Sequence, residues 1–182
     1  MLRHILAAAG IAALIAGPAA AQAPIRTAVD GTFAPHAFPN LAGGGVQGFN
    51  IDLFQEVAKR LGRPIEITST QFSGIIPALN AGTYDFVAAP VTVTKERAES
   101  LLFTEGYLDT DFRLITRRGD AAITDLASLR GKVVSVNRGS AYEGWAKSME
   151  ATVGWKVEAF GTQTDAVQAV IAGRAVANIT AE

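Results

Sequence analysis

The chain contains no cysteine. That absence excludes a disulfide framework, a thiol nucleophile and any zinc site built on thiolates, so the fold has to be stable through its apolar cores. Histidine is almost as scarce, with His4 and His36 the only two. No metal-ligand cluster stands out. A Ser-His-Asp hydrolase would have to use His36, in a Pro-flanked loop with no nucleophile-elbow pattern near any serine. Excess charge is missing as well: the net charge of −1 supplies neither a basic field for nucleic acid nor a polybasic membrane patch. Beyond the first twenty or so residues no apolar run is long enough to span a bilayer.

What is present begins with a distinct leader. Met1-Leu2-Arg3-His4 is a short basic start, Ile5 to Ala16 is an apolar run, Pro18 breaks any helix, and Ala19-Ala20-Ala21 supplies small residues. This pattern is read as a secretory signal peptide over 1–21 with Gln22 as the first mature residue, which places the protein in the periplasm.

The remaining 161 of the 182 residues are 22–182, and there strand and helix signals alternate, the mark of an α/β fold. Pro24 to Val29 reads as a strand. Gly43-Gly44-Gly45 is a turn cluster without the Lys-Ser or Lys-Thr of a phosphate loop. Ile51, Phe54, Val57, Ala58 and Leu61 recur at helical spacing, with Asn50 or Asp52 placed to cap the start and Gly62 the end. Pro64 to Thr68 is a second strand, Ser73 caps a short helix, and Asp85 to Ala89 reads as a buried third strand. A composition shift falls at Arg117-Arg118-Gly119-Asp120. After it come a strand at Lys132 to Val136, a helix from Ser140 to about Met149, a strand at Val157 to Phe160, a helix from Thr164 to Ala172, and a final strand at Ala175 to Thr180.

The segment Gly48-Phe49-Asn50-Ile51-Asp52-Leu53-Phe54, running on through Leu61, resembles the signature of the polar amino acid-binding class of periplasmic solute-binding proteins (family 3). Further matches follow in order: Asp85-Phe86-Val87, Thr92 to Arg97, Phe103 to Tyr107, Leu129 to Val133 with Gly139-Ser140, and Ala166 to Arg174. The resemblance covers Ile25 to Glu182. It implies a type II periplasmic binding protein-like architecture, two α/β lobes closing on a ligand cleft. Lobe 1 is expected over 22–116 and lobe 2 over 117–182, with the second lobe incomplete in this chain. It also implies a non-enzymatic role without cofactor: capture of a small carboxylate, above all an amino acid, for the membrane permease of an ABC transporter, by a protein monomeric when complete.

Carried over residue by residue, the resemblance makes Arg97 the grip on the ligand carboxylate, which suits a planar guanidinium able to make two parallel bonds. Its alternative is a surface arginine in a first helical turn. Thr92 would add a hydroxyl and an N–H, and Ala89 and Val91 would line the same stretch. Asp30 and Phe33 follow the first strand as an acid for polar ligand groups and a ring against the ligand; a turn residue and a core anchor are their alternatives. Ser140 and Ala141 open a helix whose free N–H groups suit an anion; Ser140 as a plain N-cap is the other reading. Tyr142 and Trp145 read as core or rim.

Two departures stand out. Pro90 can donate no hydrogen bond, and the acid that meets the ligand ammonium in the family corresponds to Ala181. The ammonium grip is therefore expected to be altered. Rival readings are a cyclohexadienyl dehydratase-like enzyme on the same fold, with Glu182 or Asp30 as its acid, and a ligand-sensing domain of a membrane signalling protein.

Overall fold

The computed structural model describes residues 22–120 and 123–181. The leader over 1–21 and Glu182 lie outside the described residues.

The first lobe is organised around β1 (Ile25–Val29), which pairs in parallel with β4 (Ile65–Ser69). Every β1 side chain but Arg26 is buried, as expected of a parallel strand covered on both faces. A parallel pair needs a crossover. Here it consists of a short hairpin, β2 (Phe38–Pro39) with β3 (Val46–Gln47), and the helix α1 (Phe49–Arg60). Neither Asn50 nor Asp52 caps α1; its N-cap is Gly48. Gly48 has φ +136°, and a Cβ there would lie 2.6 Å from the His36 carbonyl, so only glycine fits. Asn50 is fully buried instead, its Nδ2 donating to the Ala88 carbonyl and the Tyr107 hydroxyl.

After β4 comes α2 (Phe72–Asn80), with Gln71 rather than Ser73 at the N-cap position and no side-chain cap. The expected strand at Asp85 to Ala89 is not a regular strand. The segment runs beside β1, but Ala88 and Ala89 both donate to the single carbonyl of Ala28, which breaks the ladder's period. Two small apolar clusters flank β1: Ala28 with Phe72, Ile75 and Ala89, and Val29 with Ala37, Ile51 and Ala88. A single turn, α3 (Lys95–Ala98), follows, N-capped by Thr94.

The second lobe is a four-stranded sheet in the order β5-β8-β6-β7. β6 (Val133–Asn137) runs parallel to both β7 (Lys156–Phe160) and β8 (Ala177–Ala181), while β5 (Phe112–Ile115) is antiparallel to β8. This pairing puts β5 with the second lobe although it precedes Thr116. The shift in composition at Arg117 falls in the loop that follows β5. The helices α4 (Ala141–Ser148), α5 (Glu150–Val153) and α6 (Gln163–Ile171) cover the sheet. Leu129, Val134, Val136, Trp155 and Ile179 form the main core with the Tyr142 ring. Burial of each aliphatic side chain contributes about 1.5–3 kcal/mol.

Candidate functional site

In open α/β sheets ligands bind beyond the carboxyl ends of the strands, and the cleft between the lobes is built that way. The turn after β1 supplies Phe33, the start of α2 supplies Phe72, and the stretch after Ala89 supplies Pro90, Thr92 and Arg97. From the second lobe, the end of β6 supplies Asn137, the start of α4 supplies Ser140, Ala141 and Tyr142, and the first residue of α6 supplies Gln163. With the lobes in contact, the space they enclose is only about 20 Å³, roughly the room one water needs.

Arg97 is partly buried, its guanidinium 5.7 Å from the centre of the Phe72 ring. One terminal nitrogen donates to the Thr92 carbonyl at 3.0 Å and the other reaches across the cleft to the Gly139 carbonyl at 2.9 Å. Burial lowers its pKa, yet a guanidinium stays charged in a protein. Arg97 has no carboxylate partner among the described residues. Beside it, burial pushes the Tyr142 phenol up to about 12.

Asp30 takes the turn role and also reaches across to the second lobe. One carboxylate oxygen accepts from the Thr32 N–H and hydroxyl, the turn reading, and the other accepts from Asn137 Nδ2 in the opposite lobe at 2.7 Å. Thr32 Oγ1 in turn accepts from the Gln163 N–H at 3.1 Å. With the Arg97 contact, these bonds hold the lobes together directly. Gly139 packs against the first lobe: its φ is +77°, and a Cβ would meet Ser73 Cα at 2.9 Å.

Ser140 is the N-cap of α4: its hydroxyl donates to the Asn137 carbonyl and accepts from the Glu143 N–H. Glu143 reaches back to the Gly139 N–H, so a carboxylate already stands at this helix start. The Ala141 and Tyr142 N–H groups belong to the first turn, which lacks acceptors within the helix.

Phe33, Thr92, Arg97, Ser140 and Ala141 thus line the cleft, and Asp30 reaches its wall through Asn137. Ala89 does not line it. That residue is buried in the first-lobe core and its N–H is taken by Ala28. Val91 packs against the same core, leaving Pro90 at the surface of the cleft. Ala181 does not line the cleft either; it pairs with Phe112 and packs on the second-lobe core. Sequence reasoning missed Phe72, Asn137 and Gln163; Tyr142 joins the core as read and also borders the cleft. The available signal was position: Asn137 is the polar residue ending an apolar strand, and Gln163 follows directly on the Thr162 cap.

Two lobes enclosing a small cleft at their strand ends define a bilobal α/β binding protein. The chain belongs to the bacterial extracellular solute-binding proteins, family 3, whose family model matches residues 25–175. It is 27% identical over 170 residues to the L-arginine-binding protein of Pseudomonas aeruginosa and 30% identical over 165 residues to the lysine/arginine/ornithine-binding periplasmic protein of Escherichia coli. Those alignments take in 93% and 91% of this chain but 65% and 63% of the relatives. Among solved structures, an ancestral arginine-binding protein bound to arginine superposes with a TM-score of 0.82 at 34% identity, covering 88% of this chain and 71% of that one. An ancestral amino acid-binding protein described as a precursor of cyclohexadienyl dehydratase gives 0.77 at 31% identity, covering 87% and 70%. The fold is of the periplasmic binding protein type, the family is one of solute-binding proteins rather than enzymes, and its members work outside the cytoplasm, here in the periplasm.

Proposed function

We propose that the protein captures a small carboxylate, an amino acid, in the periplasm and delivers it as a monomer to the membrane permease of an ABC importer. The observation that carries this reading is Arg97: a partly buried cation on the cleft wall that, among the described residues, is bonded to carbonyls and to no carboxylate. Two of its five N–H donors hold carbonyls, which leaves three for a ligand. Phe33 and Phe72 would flank the ligand, while Thr92 and the first-turn N–H groups at Ala141 and Tyr142 would complete the anion site. Names in the family point the same way, since relatives are called arginine-, lysine/arginine/ornithine- and histidine-binding proteins.

Titration calorimetry of the intact protein against the proteinogenic amino acids tests this. Arg97→Ala should leave the thermal transition in place and weaken binding by roughly 2–5 kcal/mol, the usual cost of truncating one partner of a desolvated charge pair. Parent-like affinity in that variant would overturn the assignment.

A further inference from the structure

Asn50 is fully buried in the first turn of α1, and each polar group of its amide has a partner in a different stretch of the chain. The Ala88 carbonyl can only accept, so Nδ2 faces it at 2.6 Å, and Nδ2 also donates to the Tyr107 hydroxyl at 2.9 Å. Oδ1 is thereby turned toward His36 Nδ1 at 3.0 Å, which has to carry the ring proton. An aspartate in this place would set oxygen against the Ala88 carbonyl, and a leucine would leave all three partners without a bond.

His36 is what connects this amide to the cleft. Its ring is partly buried and stands 4.9 Å from the centre of the Phe33 ring, tilted by 39°, an attractive separation for two aromatic side chains. Phe33 lines the cleft, whereas His36 does not. The imidazole therefore backs the wall ring from behind. The backbone on either side of it is held too: the His36 carbonyl accepts from the Asn50 N–H and the Pro35 carbonyl from the Phe49 N–H, each at 3.0 Å. On its other side the amide holds the Ala88 carbonyl, just ahead of Pro90 and Thr92 at the cleft. One buried side chain thus ties together two first-lobe segments that supply cleft residues.

We propose that Asn50 and His36 are positioning residues for ligand capture: the Asn50 amide holds the His36 imidazole against Phe33 and so sets the aromatic wall of the cleft. The inference rests on the amino acid reading above and deepens it, because it assigns the support behind a wall the ligand meets.

The test is calorimetric titration of the intact protein with L-arginine and the other proteinogenic amino acids. His36→Leu keeps an apolar body beside Phe33 but strips Asn50 Oδ1 of its donor. Affinity should fall about three- to tenfold, the worth of one neutral hydrogen bond. His36→Gln keeps a side-chain donor and should bind within about twofold of the parent. Tyr107→Phe also takes one partner from the Asn50 amide, but Tyr107 does not line the cleft. That variant should lower the thermal transition and leave affinity within about twofold. Equal losses in His36→Leu and Tyr107→Phe, no loss in His36→Leu, or no recovery in His36→Gln overturn the inference alone. A second readout holds even where His36→Leu fails to fold. His36 is the only histidine among the described residues, so the imidazole C–H resonances of histidine-labelled mature protein report on this ring. They should shift when the parent is saturated with the amino acid it binds, and resonances that stay in place overturn the inference. A parent that binds no amino acid overturns the underlying reading and this inference with it.

Discussion

The Asp30 carboxylate and the Asn137 amide, 107 residues apart in the chain, meet at 2.7 Å across the cleft. The pair joins the turn after β1 to the end of β6, so it exists only when the lobes are together. Asp30→Ala should therefore speed ligand release. It removes the bridge and leaves Asn137 and Thr32 donors without their acceptor, and affinity should drop about ten- to a hundredfold. Stopped-flow measurement of the off-rate checks this; an off-rate equal to the parent's contradicts a latch role.

Gly139 of the second lobe packs against Ser73 of the first. Replacing it with alanine forces a side chain into left-handed backbone, at about 1–2 kcal/mol, and drives a Cβ toward the backbone of Ser73. Gly139→Ala should weaken ligand binding more than it lowers the thermal transition, because the clash exists only in the closed form. Small-angle scattering with saturating ligand should show a more extended particle than the parent. Identical profiles would count against the contact.

His36 gives a pH dependence of known sign. Burial lowers its pKa, partly opposed by the hydrogen bond with Asn50 Oδ1. Asn50 Nδ2 is committed to the Ala88 carbonyl, so the neutral ring donates from Nδ1. The unfolded chain binds a proton more readily than the folded one, so stability is present above the ordinary histidine value of about 6.5 and is lost as pH falls below it. Urea unfolding between about pH 7.5 and 5 should show this decline. His36→Gln, which keeps a donor, should flatten it. A variant that retains the parent's full slope would remove His36 as the cause.

Asp85 sets a second limit, in acid. Hydrogen bonds from the Arg26 side chain and N–H, with the guanidinium charge, hold its carboxyl down at about 2. Its contribution is present above the unfolded carboxylate value of about 3.9 and disappears as pH falls through the folded one. Asp85→Asn should thus be less stable than the parent at neutral pH, with the gap closing toward pH 2. The pair is exposed, so salt should narrow the gap too. A gap independent of pH would mean the carboxylate charge is irrelevant.

Much of the architecture was legible because it is written in local pattern. The α1 periodicity, the apolar run of β6, the Ser140 start of α4 and the glycine stops at Gly62, Gly82 and Gly173 are each decided by residues within one or two turns. Caps were less legible. Asn50 has the chemistry of an N-cap, but its side chain was claimed by Ala88, 38 positions away. Asp85 to Ala89 has the composition of a buried strand, but its register against Ala28 doubles up and no ladder forms.

The sequence by itself determined the α/β alternation, which follows from neighbours in the chain; the two-lobed class and the place of Thr92 to Arg97 in the cleft were expected only through the resemblance to the family. Only the tertiary structure decided which sheet β5 joins, that Ala89 and Val91 lie behind the cleft wall, and that Asn137 and Gln163 stand at the cleft with an oxygen free. The physical reason is donor and acceptor bookkeeping over long separations. Which amide oxygen is left free depends on which partners take the nitrogen; Asn178 comes to Gln163 only when the second lobe has folded, and Asp30 to Asn137 only when the two lobes meet.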